Sequence, residues 1–107
     1  MLGKLFNLFS SKLVDGFAKE LAHDFSKSYK SQGEFSKKGK VPEQKVDQLL
    51  AHIFVKTRTF RQENRLGVFK RARLAKKFQD ELIFLGYEPE LVSRVTTALL
   101  TAALSAD

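Results

Sequence analysis

The stretch Val68–Leu85, VFKRARLAKKFQDELIFL, decides the fold. Wound as an α-helix at about 100° per residue, it places five apolar side chains on one side: Val68, Ala72, Ala75, Phe78 and Leu82. Four cations fall on the opposite side: Lys70, Arg73, Lys76 and Lys77. The pattern therefore predicts a helix that packs through its apolar side and presents a cationic side to solvent.

Length and composition favour one small globular domain. The chain has 107 residues, of which 43% are hydrophobic, so it can form a packed core. It contains no cysteine, which excludes disulfides and thiolate chemistry. The longest charge-free run, 95–106, is shorter than the roughly 20 residues of a membrane-spanning helix, and the N-terminus lacks the pattern of a secretory signal. We therefore expect a cytoplasmic protein, either unattached or peripheral to a membrane.

Three further apolar patterns predict helices, so the expected fold is all-α: a single small domain over 1–107, built as an irregular four-helix bundle. The expected helices span about 4–30, 43–65, 68–85 and 89–105. The last of them is apolar around most of its circumference, which predicts a position in the middle of the bundle. Residues 31–42 contain two glycines, a proline and three lysines, and they predict a mobile linker.

Two glycines indicate where helices end. Gly86, followed by Pro89, predicts a short turn between the third and fourth helices. Gly67 predicts a left-handed stop after Leu66. The apolar phase of the second helix continues past this point, so one uninterrupted helix over 43–85 is the alternative. We favour a break near 64–67 because uncapped helices of that length are rare in small domains.

Catalytic patterns are absent from the sequence. The six glycines are scattered and form no phosphate-binding loop. Glu20 and Asp24 lie near His23 in sequence, but adjacent helical residues point about 100° apart, and a solvated polar face explains them. His52 belongs to no nucleophile–base pattern. We therefore expect no enzymatic activity, no cofactor, no metal site and no small-molecule substrate.

The basic segment 56–77 is the main functional lead, since it holds nine cations and one acidic residue in a chain of net charge +7. Several cations lie in the first half of the third helix, where the helix dipole disfavours them, and this favours an anionic partner. The residues predicted to bind it are Arg58, Arg61, Arg65, Lys70, Arg73, Lys76 and Lys77. The expected partner is an acidic protein or a nucleic acid backbone, with a merely solubilising surface as the alternative. Because no aromatic residue is expected among these cations, base stacking is not predicted.

The first stretch, Met1–Leu13, is a second lead. Five apolar side chains share one helical face: Leu2, Leu5, Phe6, Phe9 and Leu13. Because the first helix is predicted to be longer than its neighbours, we expect this segment to project beyond them. An exposed apolar stripe favours a second copy of the chain, as a homodimer, or a membrane surface. We favour self-association, since two lysines form a weak cationic face.

Overall fold

The computed structural model describes the backbone of residues 2–34 and 41–105 and the side chains of 11–31 and 41–105. Four α-helices account for nearly all of it: α1 (Leu2–Glu34), α2 (Glu43–Asn64), α3 (Val68–Phe84) and α4 (Pro89–Leu104). No strand occurs within these described ranges. The prediction of a small all-α, four-helix fold is confirmed, and each helix begins and ends within four residues of its expected bounds.

The connection between α1 and α2 is shorter than the sequence predicts. α1 continues through Glu34, so residues 31–34 of the expected linker are helical despite the glycine at position 33. Residues 35–40 of the expected mobile linker lie outside the described residues. Pro42 directly precedes α2, and its carbonyl accepts the first backbone hydrogen bonds of that helix, from Lys45 and Val46.

α1 and α3 run parallel to each other. Asp15 of α1 binds Arg73 of α3, and further along both helices His23 contacts Glu81. Side-chain pairs that advance together along two helices define a parallel arrangement. α1 therefore packs along α3 with its N-terminal part beside the start of that helix.

α2 runs antiparallel to α1. Phe17 stacks on Phe60 with 3.9 Å between ring centroids, whereas Asp24, further along α1, pairs with Lys56, which lies earlier in α2. The planes of the two rings are almost parallel, with 3° between them. It anchors the α1–α2 contact close to the C-terminal end of α2.

α4 packs mainly against α2 and α3. Arg94 near its start pairs with Glu43 at the start of α2, and Arg61 near the end of α2 contacts Ala103 near the end of α4. The two helices are thus parallel. α4 lies at one corner of a four-helix arrangement rather than in its middle, so the predicted central position is wrong. Short polar residues such as Ser93 and Thr97 form its exposed outer side. The prediction counted the many apolar residues of the helix and gave too little weight to these polar ones.

The core-facing side of α3 is rotated from the predicted side. The buried side chains of the helix are Leu74, Ala75, Phe78 and Leu82, so the last three are confirmed. Val68 and Ala72 are exposed, contrary to prediction. α3 begins at one end of the bundle, where Leu66 of the preceding turn fills the core instead of Val68. α3 packs against both α1 and α4, and Leu74 is fully buried in the core that these helices share.

The break between α2 and α3 is confirmed, but its geometry differs from the expectation. Arg65, not Gly67, adopts the left-handed conformation, with φ 49° and ψ 52°. The N–H groups of Arg65 and Leu66 donate to the carbonyls of Gln62 and Arg61, the pattern of a Schellman cap. Because Leu66 must enter the core, the chain turns before it, and Gly67 is left extended at the start of α3.

The turn between α3 and α4 agrees with prediction. Gly86 has a φ of 90°, a conformation that side chains disfavour. The N–H groups of Gly86 and Tyr87 donate to the carbonyls of Ile83 and Leu82, closing a second Schellman cap. Tyr87 then packs on the core, and its hydroxyl shares a 2.7 Å hydrogen bond with the hydroxyl of Ser26 in α1. The turn therefore ties both helices to α1.

Candidate anion-binding end

The four helices place charge unequally along the bundle. One end, formed by residues 11–15, 58–73 and 102–105 and here called the basic end, holds seven cations and two acidic residues. The opposite end, formed by 27–31, 41–47 and 80–94, holds four cations and six acidic residues. The parallel pairing of α1 with α3 and of α2 with α4 produces this polarity, because it brings the basic segments to the same end.

Arg61 is buried, and its predicted place on the exposed cationic face is wrong. Its side chain is 2% exposed. The guanidinium donates to the carbonyl of Ala103 at 3.2 Å and to that of Ser105. Burial lowers the pKa of Arg61, and the nearby charges of Arg71 and Arg58 lower it further. The C-terminal carbonyls of a helix lack intrahelical donors, so a cation from α2 completes the end of α4. Spacing of four from buried Thr57 is the sequence signal for this burial.

Three more of the predicted binding cations have partners within the chain. Arg73 makes a two-pronged contact with Asp15, 2.8 Å for each hydrogen bond. That hydrogen bond lowers the pKa of Asp15 despite its partial burial, and it raises the pKa of Arg73. Lys76 pairs with Asp80 one turn later at 3.0 Å, and Lys70 donates to the hydroxyl of Ser11.

The cations that most readily meet a partner lie around the α2–α3 turn. Arg65 is exposed and Arg58 is half-buried, and the exposed Lys12 of α1, which the sequence interpretation omitted, joins them at the same end. Lys77 is exposed further along α3. The seven predicted residues therefore divide between the basic end and the outer side of α3 and do not form one continuous face.

Aromatic and aliphatic side chains are exposed beside these cations. Phe69 is 91% exposed and Val68 66% exposed, and Leu13 and Leu104 are exposed at the same end. The expectation that no aromatic residue accompanies the cations is wrong. A helical projection contains the signal, since Phe69 falls between Lys76 and Arg73 on the charged side of α3.

The predicted N-terminal apolar site is described only in part. The backbone of Leu2–Leu13 is helical as expected. Leu13 is exposed, whereas the side chains of Leu2, Leu5, Phe6 and Phe9 lie outside the described residues. Self-association or membrane contact through this stripe stays a prediction.

A groove of about 340 Å³ lies between α1 and α2. The Phe17–Phe60 stack contributes to its lining, and the carboxylates of Glu20, Asp24 and Glu63 stand around it. Over the described part of the chain, no group of three or more histidine or acidic residues could hold a metal ion. The groove combines an apolar base with acidic edges, and Thr59, Phe60 and Glu63 extend its lining into the basic end.

Comparisons with known proteins returned no match to any family model, curated protein or solved structure. Among the helices that the structure describes, none is both long enough and apolar enough to cross a membrane. The geometry and charge of the basic end are therefore the features of this chain that bear on its function.

Proposed function

We propose that this protein is a non-enzymatic binding module of the cytoplasm that holds an anionic partner at its basic end. The observation that carries the proposal is the unequal charge of the two ends, seven cations with two acidic residues against four cations with six. An uneven charge distribution orients the molecule toward a polyanion and concentrates the partner at one end.

Local contacts at the basic end support this function. Arg65 is held by the Schellman cap that closes α2, so its exposed guanidinium projects from a fixed backbone. Arg58 lies two turns earlier on the same helix. Arg73 retains a bidentate contact with Asp15, which fixes α3 against α1 behind these cations. Rigid placement lowers the ordering entropy lost on binding.

Charge-reversal variants test the proposal. We expect the full chain to bind heparin and polyphosphate with an affinity that falls steeply between about 50 and 200 mM salt. Arg58→Glu/Arg65→Glu should weaken binding at least about tenfold, because each basic residue near a polyanion contributes on the order of 1 kcal/mol. Fluorescence anisotropy with labelled heparin measures both effects.

The matched control is Lys27→Glu/Lys30→Glu, which changes net charge equally with exposed residues at the opposite end. It should weaken binding much less than the double variant at the basic end. Equal losses in the two variants, or no salt-dependent binding by the original chain, would refute the proposal. Circular dichroism checks that both variants keep their helices.

A further inference from the structure

The basic end also exposes apolar side chains, which electrostatic attraction to an anionic partner does not explain. Val68 and Phe69 are the first two residues of α3, and they are 66% and 91% exposed. Leu104 at the end of α4 is exposed at the same end. Exposed apolar groups that cluster on a small protein mark a surface that becomes covered. A partner at this end would therefore meet apolar side chains as well as cations.

Cationic and apolar side chains alternate closely here. Arg65 precedes the exposed Val68–Phe69 pair by three residues across the α2–α3 turn, and Lys70 follows the pair directly. The interface of an anionic bilayer has the matching order, with phosphate groups above an apolar layer. We propose that the basic end docks on an anionic phospholipid surface, with Phe69 and Val68 entering the interface while Arg58 and Arg65 meet lipid phosphates. This inference rests on the proposed function and names its partner.

The form of the basic end favours a bilayer over a folded protein. The α2–α3 turn, the start of α3 and the end of α4 lie together at the basic end, where Val68, Phe69 and Leu104 are exposed as single side chains. The groove between α1 and α2 reaches this end through Thr59 and Glu63, but Val68, Phe69 and Leu104 line neither that groove nor the groove at the opposite end. A set of exposed single side chains suits a partner that deforms around each of them. A lipid interface does so without a preformed pocket.

A nucleic acid fits these residues less well. Phosphate contacts need only cations, and base stacking uses aromatic rings. Neither gives a role to the aliphatic side chains of Val68 and Leu104. A lipid interface accepts aliphatic and aromatic groups alike, which provides a way to tell the two partners apart.

α1 extends the same end. From Ser11, which Lys70 contacts, its backbone continues as a helix to Leu2, a further rise of about 14 Å. The sequence Met1–Leu13 carries an apolar stripe with lysines at positions 4 and 12. The proposed membrane surface is thus continuous with an amphipathic helical segment of the same chain.

The chain supplies an unusually close control for Val68–Phe69. Ile83–Phe84, near the end of α3, is also a β-branched residue followed by phenylalanine, and its members are 57% and 82% exposed. It lies at the opposite end, beside Asp80 and Glu81. Val68→Ser/Phe69→Ser and Ile83→Ser/Phe84→Ser therefore remove similar apolar groups from the two ends, and neither pair is buried.

Vesicle co-sedimentation of the full chain tests the proposal. With phosphatidylcholine vesicles containing about 30% phosphatidylserine, we expect binding that is absent with phosphatidylcholine alone. Val68→Ser/Phe69→Ser should weaken it at least about tenfold, since each buried CH₂ contributes roughly 0.8 kcal/mol. Ile83→Ser/Phe84→Ser should bind like the original chain. Phe69→Leu should retain vesicle binding, because an aliphatic side chain also enters the interface.

The remaining outcomes separate the two proposals. Heparin binding that depends on Arg58 and Arg65, without vesicle binding, would overturn the lipid proposal and leave the proposed function standing. Equal losses in the two serine variants would also overturn it. Binding to neither probe would refute both. An RNA oligonucleotide bound more tightly than vesicles, with binding lost in Phe69→Leu, would identify base stacking in place of lipid contact.

Discussion

At the scale of single residues, Thr57 places a hydroxyl group in the buried core. Its side chain is fully buried on α2, yet its hydroxyl has no hydrogen-bond partner among the described residues. A buried polar group without a partner costs roughly 1–3 kcal/mol. We expect Thr57→Val to raise the free energy of unfolding by about 1 kcal/mol, measured by urea denaturation. Thr57→Ser, which keeps the hydroxyl and loses the methyl group, should lower it. A valine variant less stable than the original would contradict this reading.

Substitutions of Arg61 test whether this buried cation stabilises the fold. Its contacts to the Ala103 and Ser105 carbonyls join α2 to the end of α4. We expect Arg61→Met, which removes the donors, to lower Tm by about 5 °C or more in a calorimetric scan. Arg61→Lys keeps a charge but offers one nitrogen to two carbonyls, so its Tm should fall by a smaller amount. A methionine variant as stable as the original would mean that desolvation of the guanidinium outweighs its hydrogen bonds.

At the scale of elements, the orientation of α3 predicts that two of its aliphatic residues contribute very different amounts to the free energy of unfolding. Leu74 is fully buried in the core, whereas Val68 is exposed. We expect Leu74→Ala to cost about 2–5 kcal/mol of unfolding free energy. Val68→Ala should change it by less than about 0.5 kcal/mol. Chemical denaturation of both variants measures the contrast. Similar losses of unfolding free energy in the two variants would indicate that Val68 is buried, as the apolar pattern of the sequence predicts.

The elements themselves follow largely from local sequence signals. Gly86 with Pro89 predicts the α3–α4 turn correctly, because a positive φ and a fixed proline φ are local requirements. The α2–α3 break is predicted in position but not in geometry, since Arg65 takes the left-handed conformation that Gly67 was expected to take. The burial of Leu66 decides that difference, and burial depends on the neighbouring helices.

At the scale of the whole molecule, ion pairs between helices make stability depend on pH. The hydrogen bond from Arg73 lowers the pKa of Asp15, and that from Arg94 lowers the pKa of Glu43. A carboxyl group whose pKa is lower in the folded state stabilises the fold above its unfolded pKa, and this contribution is lost as pH falls through the folded pKa. The two pairs join α1 to α3 and α4 to α2, so acid should loosen the bundle as a whole.

We expect the free energy of unfolding to decrease between about pH 5 and pH 2. Asp15→Asn/Glu43→Gln should show a weaker decrease over that range, and the difference should shrink in about 1 M salt because both pairs are partly solvated. Denaturant titrations at several pH values measure this. A double variant whose stability follows pH as steeply as the original chain would show that other groups control acid unfolding.

The sequence by itself determined the four helices, the α3–α4 turn and the position of the α2–α3 break, because helical periodicity, glycine and proline act within a few residues. It also revealed the excess of cations. Tertiary structure alone decided what those cations contact: Arg61 donates to carbonyls at the end of α4, and Arg73 binds the carboxylate of Asp15. The parallel pairing of α1 with α3 and of α2 with α4 brought the basic segments to one end. Such choices depend on which helices are neighbours, and a periodic pattern within one helix does not encode its neighbours.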